Sequence, residues 1–281
     1  MTFLAFAFLA AAAAQTPHVA VVYAVRGDVR VTAADGSAAV VSQLTWLDAP
    51  STISSAGGAR VAVAFENGKR FELIDRARAT VAADRLIRKE GTVRELPWVP
   101  PLPKLAPITV TAPVSVPGAA RIRGEHKITD LYPRNDAAAI ADETVLTFAA
   151  PVMIRDVDVT VTDAEGKVVF ETTTSDRRIA LPRGALKDGS AYRWSVARTD
   201  DAETADAQFV TLSKEQRLRR AALHDALKAP DAEQLALAAA VDVCLGLQRE
   251  AVAELERALA MSPHDAAIAQ TLAHARETMS R

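Results

Sequence analysis

The residue types that most often carry out chemistry are few in this chain and lie far apart. The sequence contains five histidines and one cysteine, without the HxH, HExxH or paired Cys/His spacing that holds a metal ion. It also lacks the glycine-rich signatures GxSxG, GxGxxG and Walker A. His224-Asp225 and His264-Asp265 are sequence neighbours, but adjacent residues on a helix point about 100° apart and cannot form a catalytic dyad. We therefore predict that the protein is not an enzyme and has no catalytic, metal-binding or cofactor-binding residues.

The single cysteine, Cys244, lies within the apolar run AAAVDVCLGL. Because there is no second cysteine, it cannot form an intramolecular disulfide. A free cysteine in such a run behaves as a small hydrophobic residue. We expect Cys244 to pack in a core and not to act as a nucleophile.

Two groups of charged residues are candidates for contacts with a partner. Arg217, Arg219 and Arg220 form a basic cluster where predicted strands give way to predicted helices. Such a cluster is usually a solvated helix face, and the alternative is docking to an anionic polymer of the cell envelope. Glu254 and Arg257 lie on the predicted outer side of a later helix, opposite its small alanines. All five are possible partner-binding residues.

Length, charge and the N-terminus limit the class of protein. The 281 residues are enough for two or three domains, and a net charge of −2 lacks the basic footprint of a nucleic-acid-binding protein. An apolar stretch from Phe3 ends in small residues at Ala12 and Ala14, and about a dozen residues are too few to cross a bilayer. We predict a cleaved signal peptide at residues 1–14 and a periplasmic or secreted protein. A buried first strand or helix is the alternative.

Residues 18–95 have the pattern of an all-β domain. The runs RVAVAF and RFEL alternate apolar and other residues on either side of Asn67-Gly68. We expect this pair to supply both positive-φ residues of a tight hairpin. Two short strands with one apolar face need a partner sheet, so the pattern predicts a small sandwich or barrel.

The same stretch resembles the FecR-type periplasmic domain. The resemblance rests on a GDVRV strand, the segment APSTISSAGGARVAVAF and the NGKRFEL hairpin, and it implies the domain alone. It departs from the family at residues 49–51, where Ala-Pro-Ser replaces the usual glycine. No membrane-spanning helix of the signalling members is present in the sequence, which argues against their anti-sigma role. The matching residues are Thr52, Ala59, Val61, Val63, Phe65, Asn67, Gly68, Phe71 and Leu73.

Proline marks a boundary at residues 96–120, where seven of the fourteen prolines fall. Proline favours extended backbone and cannot continue a helix or an internal strand, so we expect a semi-rigid spacer. Residues 121–213 then return to short strands at regular spacing, which is typical of a β-sandwich. The segment LPRGALKDGSAYRWSVA resembles the fibronectin type III signature. This resemblance implies that the hydroxyl of Tyr192, six residues after Leu186, bonds to the backbone, with Trp194 in the core.

After Ser213 the hydrophobic period changes to that of helices. We predict four helices, at residues 214–227, 232–246, 249–261 and 265–279, within a segment that extends to residue 281. The middle pair resembles a tetratricopeptide repeat, in which small residues let two helices approach closely, although Asp242 stands where an aromatic residue is usual. One repeat cannot form a solenoid, so the flanking helices must act as caps or dock on the sandwich. The signature positions are Leu235, Ala239, Ala251, Leu255 and Ala258.

These patterns predict a multidomain protein with an all-β N-terminal module, a β-sandwich and an α-helical hairpin segment. The function they favour is non-catalytic binding or scaffolding at the bacterial cell envelope, through contacts of the helical groove and the sandwich loops with protein or cell wall. The first alternative is a FecR-like ligand-sensing module of an envelope signalling system, and the second is a hydrolase whose site is assembled from distant loops. A scaffold should co-purify with protein or wall polymer, whereas a sensor should bind a small ligand saturably.

Overall fold

The computed structural model describes residues 18–104, 128–134, 137–151, 155–198, 204–227 and 229–280. These residues form two β domains followed by four helices. The predicted signal peptide at residues 1–14 lies outside the described residues, as do the predicted linker from residue 105 and the first seven residues of the predicted sandwich domain.

The N-terminal domain is one eight-stranded sheet with the order β3-β2-β5-β7-β6-β1-β4, and β8 pairs with β7. Its strands are β1 (His18–Arg26), β2 (Val29–Ala33), β3 (Ala38–Val40), β4 (Trp46–Asp48), β5 (Ser51–Ser55), β6 (Arg60–Phe65), β7 (Arg70–Val81) and β8 (Leu86–Leu96).

This sheet folds into two layers because β7 bends. Its first half pairs with β6 and its second half with β5, while β8 runs beside both halves. The bend falls at Asp75 and Arg76, which both have positive φ. Val63 of β6 and Ile53 of β5 belong to the same buried cluster, so the two branches face each other. The predicted small sandwich or barrel is thus one bent sheet.

The hairpin between β6 and β7 confirms the predicted alternation and corrects the predicted turn. Only Gly68 has a positive φ, of 84°, so the expected pair of positive-φ residues at Asn67-Gly68 is wrong. The N–H of Phe65 donates to Lys69 across a three-residue loop. A Cβ on Gly68 would lie 2.1 Å from the carbonyl oxygen of Val99, so glycine is also required by the close approach of a second segment.

The central domain is a sandwich of a five-stranded sheet, β10-β16-β15-β12-β13, and a three-stranded sheet, β14-β11-β9. Tyr192 accepts a hydrogen bond from the N–H of Lys187 at 2.7 Å, which confirms the predicted corner. Trp194 is 1% exposed and donates to the carbonyl of Pro133 at 2.8 Å, which confirms its place in the core. The strands are β9 (Thr129–Tyr132), β10 (Ala138–Ala139), β11 (Val145–Ala149), β12 (Val157–Asp163), β13 (Val168–Thr174), β14 (Arg178–Ala180), β15 (Ala191–Arg198) and β16 (Thr204–Thr211).

The four helices begin and end within two residues of the predicted bounds: α1 (Lys214–Ala226), α2 (Ala232–Cys244), α3 (Gln248–Met261) and α4 (Ala266–Ser280). Ser213 and Asp231 start α1 and α2 with capping boxes, which satisfy backbone N–H groups that have no partner within a helix. The five positions quoted for the repeat resemblance pack in one cluster between α2, α3 and α4. No helix in the described ranges is both long and apolar enough to cross a membrane.

Helix α2 is buried from Leu235 to Asp242, because the N-terminal domain and α1 cover the faces that do not contact α3. In β1 and β6, four apolar residues that point away from the domain core belong to a cluster that includes Leu237 and Val241 of α2, and Arg60 beside them donates to Glu233 of α2 at 3.0 Å. We call this contact the face joint. Its strand residues are Val21, Tyr23, Ala62 and Ala64. The hairpin therefore docks on the N-terminal domain with this face, whereas the sequence predicted docking on the sandwich as one alternative.

The central sandwich contacts the helices with one end, and we call this contact the edge joint. The N–H of Ala138 donates to Gly246, in the turn between α2 and α3, at 2.9 Å. Arg249 of α3 donates to the hydroxyl of Thr147 at 2.7 Å, and its guanidinium lies 4.2 Å from the ring centroid of Tyr132. Burial raises the pKa of Tyr132 to about 12.

The described start of the proline-rich segment packs against the rest of the protein. Val99 and Leu102 are buried in the cluster that contains the face joint. The N–H groups of these two residues donate to Gly68 and Glu66, so residues 97–104 differ from an exposed spacer.

Candidate binding groove

A large cavity lies between the N-terminal domain and α4 with the turn that precedes it. Its volume is about 1110 Å³, which is slightly above the usual range for ligand sites. One wall is formed by residues 25–27 at the end of β1 and by residues 40–46. The other wall is formed by residues 262–267 and the first half of α4. We call this cavity the groove.

Gln43 fixes one wall of the groove to the other. Its side chain is 7% exposed, and its Nε2 donates to the carbonyl of Tyr23 at 2.6 Å. The Oγ1 of Thr271, on α4, lies 3.2 Å from Oε1 of the same amide and 2.8 Å from the carbonyl oxygen of Ala267, so its one proton is shared between two acceptors. Because one buried amide contacts both walls, the groove is a built feature of the fold.

The charged residues of the groove differ in whether they already have a hydrogen-bond or ion-pair partner. Asp265 accepts hydrogen bonds from the N–H groups of Ala267 and Ile268 and so caps α4. Arg26 is exposed, and no carboxylate in the described ranges pairs with it. His264 and His274 are also exposed on the helical wall.

Trp46 adds an aromatic surface at the end of the loop wall. Its ring is half-buried and stacks on His18, with the ring centroids 6.1 Å apart. The Nδ1 of His18 lies 2.6 Å from Asp48, which holds the imidazole in place. The groove therefore combines apolar, aromatic and polar surfaces, which suits binding. In the described part of the chain, no three His, Cys, Asp or Glu side chains cluster in a way that could hold a metal ion.

The three arginines of the predicted basic cluster each contact another part of the chain. Arg217 donates to Asp188 of the sandwich at 2.9 Å. Arg219 pairs with Glu215 and donates to the carbonyl of Leu102. Arg220 forms a two-pronged bond with the fully buried Asp242, at 2.7 and 2.9 Å. This ion pair explains the charged residue in the apolar run of α2.

The other two predicted contact residues lie near the same ion pair. Arg257 donates to Glu254 at 2.7 Å, and Glu254 is only 9% exposed, so its expected position on the outer side of α3 is wrong. Its Oε1 is 3.9 Å from the Nδ1 of His224. Burial lowers the pKa of His224, and the charge of Arg220 acts in the same direction. None of the five predicted contact residues lines the groove.

Comparisons with known proteins identify no family. No family model and no curated protein matches the chain. The fn3 domain of human collagen alpha-1(XX) chain is 17% identical and covers 35% of this chain and 90% of its own, with a TM-score of 0.26. The BSP domain of a biofilm associated protein is 15% identical and covers 66% of this chain and 25% of its own, with a TM-score of 0.22. TM-scores of this size support no argument about this chain.

Proposed function

We propose that this chain is an exported, non-catalytic binding or scaffold protein of the cell envelope and that it holds its partner in the groove. The observation that carries this proposal is a cavity of about 1110 Å³ built from two separate regions of the fold. Its described walls offer apolar and hydrogen-bonding surfaces but no cysteine, and its one carboxylate, Asp265, caps a helix. Concave surfaces of this kind bind ligands through apolar contact and a few oriented hydrogen bonds.

Finer module assignments support the same proposal. The corner at Tyr192 supports a fibronectin type III-like sandwich, and the packing of Ala251 and Ala258 against α2 supports a TPR-like hairpin. The alternation around Gly68 supports a FecR-like domain. Because function resides in sites and not in folds, these assignments accompany the proposal and the groove carries it.

Ligand sensing is the second candidate function, because the groove volume also accommodates a small molecule. The two candidates differ in the partner. A binding or scaffold protein forms crosslinks to protein or wall polymer. A sensor instead shows saturable binding of a small molecule in the groove.

The test is a crosslinking pull-down from the native envelope with the full chain and two variants. Ala266→Arg places a long charged side chain in the groove from an exposed position of α4. The matched control is Ala273→Arg, which is exposed on the same helix but does not line the groove. We expect the wild type and the control to capture the same partner and Ala266→Arg to lose it. Equal capture by all three proteins would contradict a role for the groove.

Export has a separate test. The small residues Ala12 and Ala14 suit a signal peptidase, so we expect cleavage between Ala14 and Gln15. N-terminal sequencing of the protein recovered from the envelope should begin at Gln15. Recovery of the intact chain in the cytoplasm would contradict the envelope location.

A further inference from the structure

One strand of the groove has an open edge. On one side β1 pairs with β6 as far as Arg26, whereas on the other side β4 and the preceding Thr45 cover it only to Val22. The next carbonyl, of Tyr23, is occupied by the side chain of Gln43. Among the described residues, no strand lies beside residues 24–26 on this edge, and residues 25–27 line the groove.

Backbone directions place free hydrogen-bonding groups on that edge. The N–H of Phe65 donates to Lys69, on the β7 side of β6. Successive residues of a strand alternate in direction, so Ala62 directs its backbone groups toward β1, where Ala24 faces it. Val25, the next residue, therefore directs its N–H and C=O into the open edge.

A second open edge lies at the end of β3. The N–H of Ala33 donates to Ser37 and that of Val41 donates to Val29, both at 2.9 Å, so these positions bond across to β2. Val40, between two bonded positions, directs its N–H and C=O away from β2. It is 72% exposed and lines the groove. The groove thus exposes backbone donors and acceptors from both Val25 and Val40.

Side chains near the two edges indicate what kind of chain would bind. Leu44 and Trp46 offer apolar surface on the loop wall, and Pro263 does so on the helical wall. Arg26 is a cation without a carboxylate partner in the described ranges, whereas the carboxylate of Asp265 is already bonded to two N–H groups. An acidic side chain would complement Arg26.

We propose that the groove binds an extended peptide segment of a partner protein, which pairs through its backbone with the open edges at Val25 and Val40. The segment has apolar side chains at alternate positions and an acidic residue facing Arg26. This inference rests on the proposed binding function and specifies the partner. The open edge of β8 is a less suitable site, because its exposed charges, at residues 88–90 and 94–95, are typical of an edge protected against pairing.

The probe is a linear dodecapeptide selected from a phage-displayed library on the immobilised full chain, with counter-selection on Ala266→Arg. We expect enriched sequences to alternate apolar residues and to contain Asp or Glu. The synthetic peptide should bind the wild type and the Ala273→Arg control equally and bind Ala266→Arg at least about 10-fold more weakly. Arg26→Gln should weaken binding of the acidic peptide by about 3- to 10-fold, because a charge-assisted hydrogen bond is lost.

Backbone pairing has a signature that side-chain binding lacks. N-methylation of one peptide bond at a time removes one N–H, and in a paired strand only alternate N–H groups contact the neighbour. We expect methylation at alternate positions to weaken binding by about 10-fold, with little effect at the positions between. A helical or irregular ligand shows no such period of two.

Two outcomes would overturn this inference. One is the failure of any dodecapeptide to be enriched over the counter-selection, and the other is an N-methyl scan without alternation. Either result leaves the binding function intact if envelope crosslinking still depends on Ala266. If envelope crosslinking is the same with Ala266→Arg, the proposed binding function of the groove is itself contradicted.

Discussion

The two β domains hold the helices in different ways. At the face joint the N-terminal domain presents a whole sheet face to α2, with Val21, Tyr23, Ala62 and Ala64 all at most 1% exposed. At the edge joint the sandwich presents only one end, through Ala138, Ile140 and Leu212, and adds directed polar contacts from α3.

The two joints should therefore have different roles: the face joint stabilises the fold, and the edge joint orients the sandwich. Burial of apolar surface is non-directional and grows with area, so the face joint should bind the N-terminal domain and α2 into one cooperative unit. Hydrogen bonds are directional but contribute little net free energy, so the edge joint should orient the sandwich without making its folding depend on the helices. The groove is lined by the N-terminal domain and the helical region, with no described sandwich residue, and should keep its shape when the sandwich is perturbed.

Trp194→Ala should have the largest effect and should be confined to the sandwich. Deletion of a buried tryptophan costs about 3–5 kcal/mol, and the carbonyl of Pro133 also loses its donor. We expect thermal melting of the full chain to show a separate sandwich transition at lower temperature.

Cys244, whose pKa burial raises to about 12, should remain slow to react with iodoacetamide. An unchanged melting temperature would contradict burial of Trp194, and fast alkylation would contradict independent domains.

Ala62→Asp should destabilise the N-terminal domain together with α2 and leave the sandwich folded. Ala62 is fully buried at the face joint and lies opposite Glu72, which already pairs with Arg60 and Arg94, so an aspartate there adds a second carboxylate without solvent. We expect a loss of about 3 kcal/mol by chemical denaturation, together with fast alkylation of Cys244. The matched control, Ala33→Asp, changes an exposed residue of β2 and should behave as the wild type. If Ala62→Asp is as stable as this control, Ala62 is not buried at the face joint.

Ala251→Leu should have an intermediate effect, within the helical region. Ala251 is fully buried between α2 and α3, and overpacking typically costs about 1–3 kcal/mol. The same substitution at Ala253, which is exposed on α3, is the control and should be neutral. Chemical denaturation followed by circular dichroism measures both. Neutral behaviour of Ala251→Leu would remove support for the TPR-like packing.

Arg249→Lys should have the smallest effect and should act on the edge joint. Lysine cannot reproduce the paired donation to Val145 and Thr147 or the flat contact with Tyr132. We expect a loss of about 0.5–1.5 kcal/mol, with Cys244 still protected. Arg276→Lys, on the exposed face of α4, is the control. A loss as large as that of Ala62→Asp would show that both joints are equally cooperative.

Sequence patterns predicted the elements better than their contacts. Periodicity placed the four helices within two residues, and the spacing of Leu186 and Tyr192 located the sandwich corner. The sequence also contained two indications of the face joint, which the interpretation of α2 as half of a repeat hairpin left unused. A helix as uniformly apolar as AEQLALAAAVDVC must be covered on every side, and the alanines between the valines of RVAVAF mark an outer strand face that is also buried.

The groove could not be predicted from the sequence. It joins residues more than 200 positions apart, as the contact of Gln43 with Thr271 shows. The hydrogen-bonding groups that the peptide proposal uses belong to the backbone of Val25 and Val40, and backbone groups carry no residue-type signal. The five charged residues that the sequence singled out engage partners within the chain because a helical pattern does not reveal which side a neighbouring helix will cover.

Residue-resolved amide hydrogen exchange of the full chain, with and without the selected dodecapeptide, tests the central claim most directly. In the free chain the N–H groups of Val25 and Val40 should exchange quickly, whereas those of Ala24 and Ala39 are bonded within the sheet and should exchange slowly. Peptide binding should slow exchange at Val25 and Val40 and leave Ala24 and Ala39 unchanged. Slow exchange at Val25 and Val40 in the free chain, or protection by the peptide confined to β8 or β13, would contradict a peptide-binding groove at these two edges.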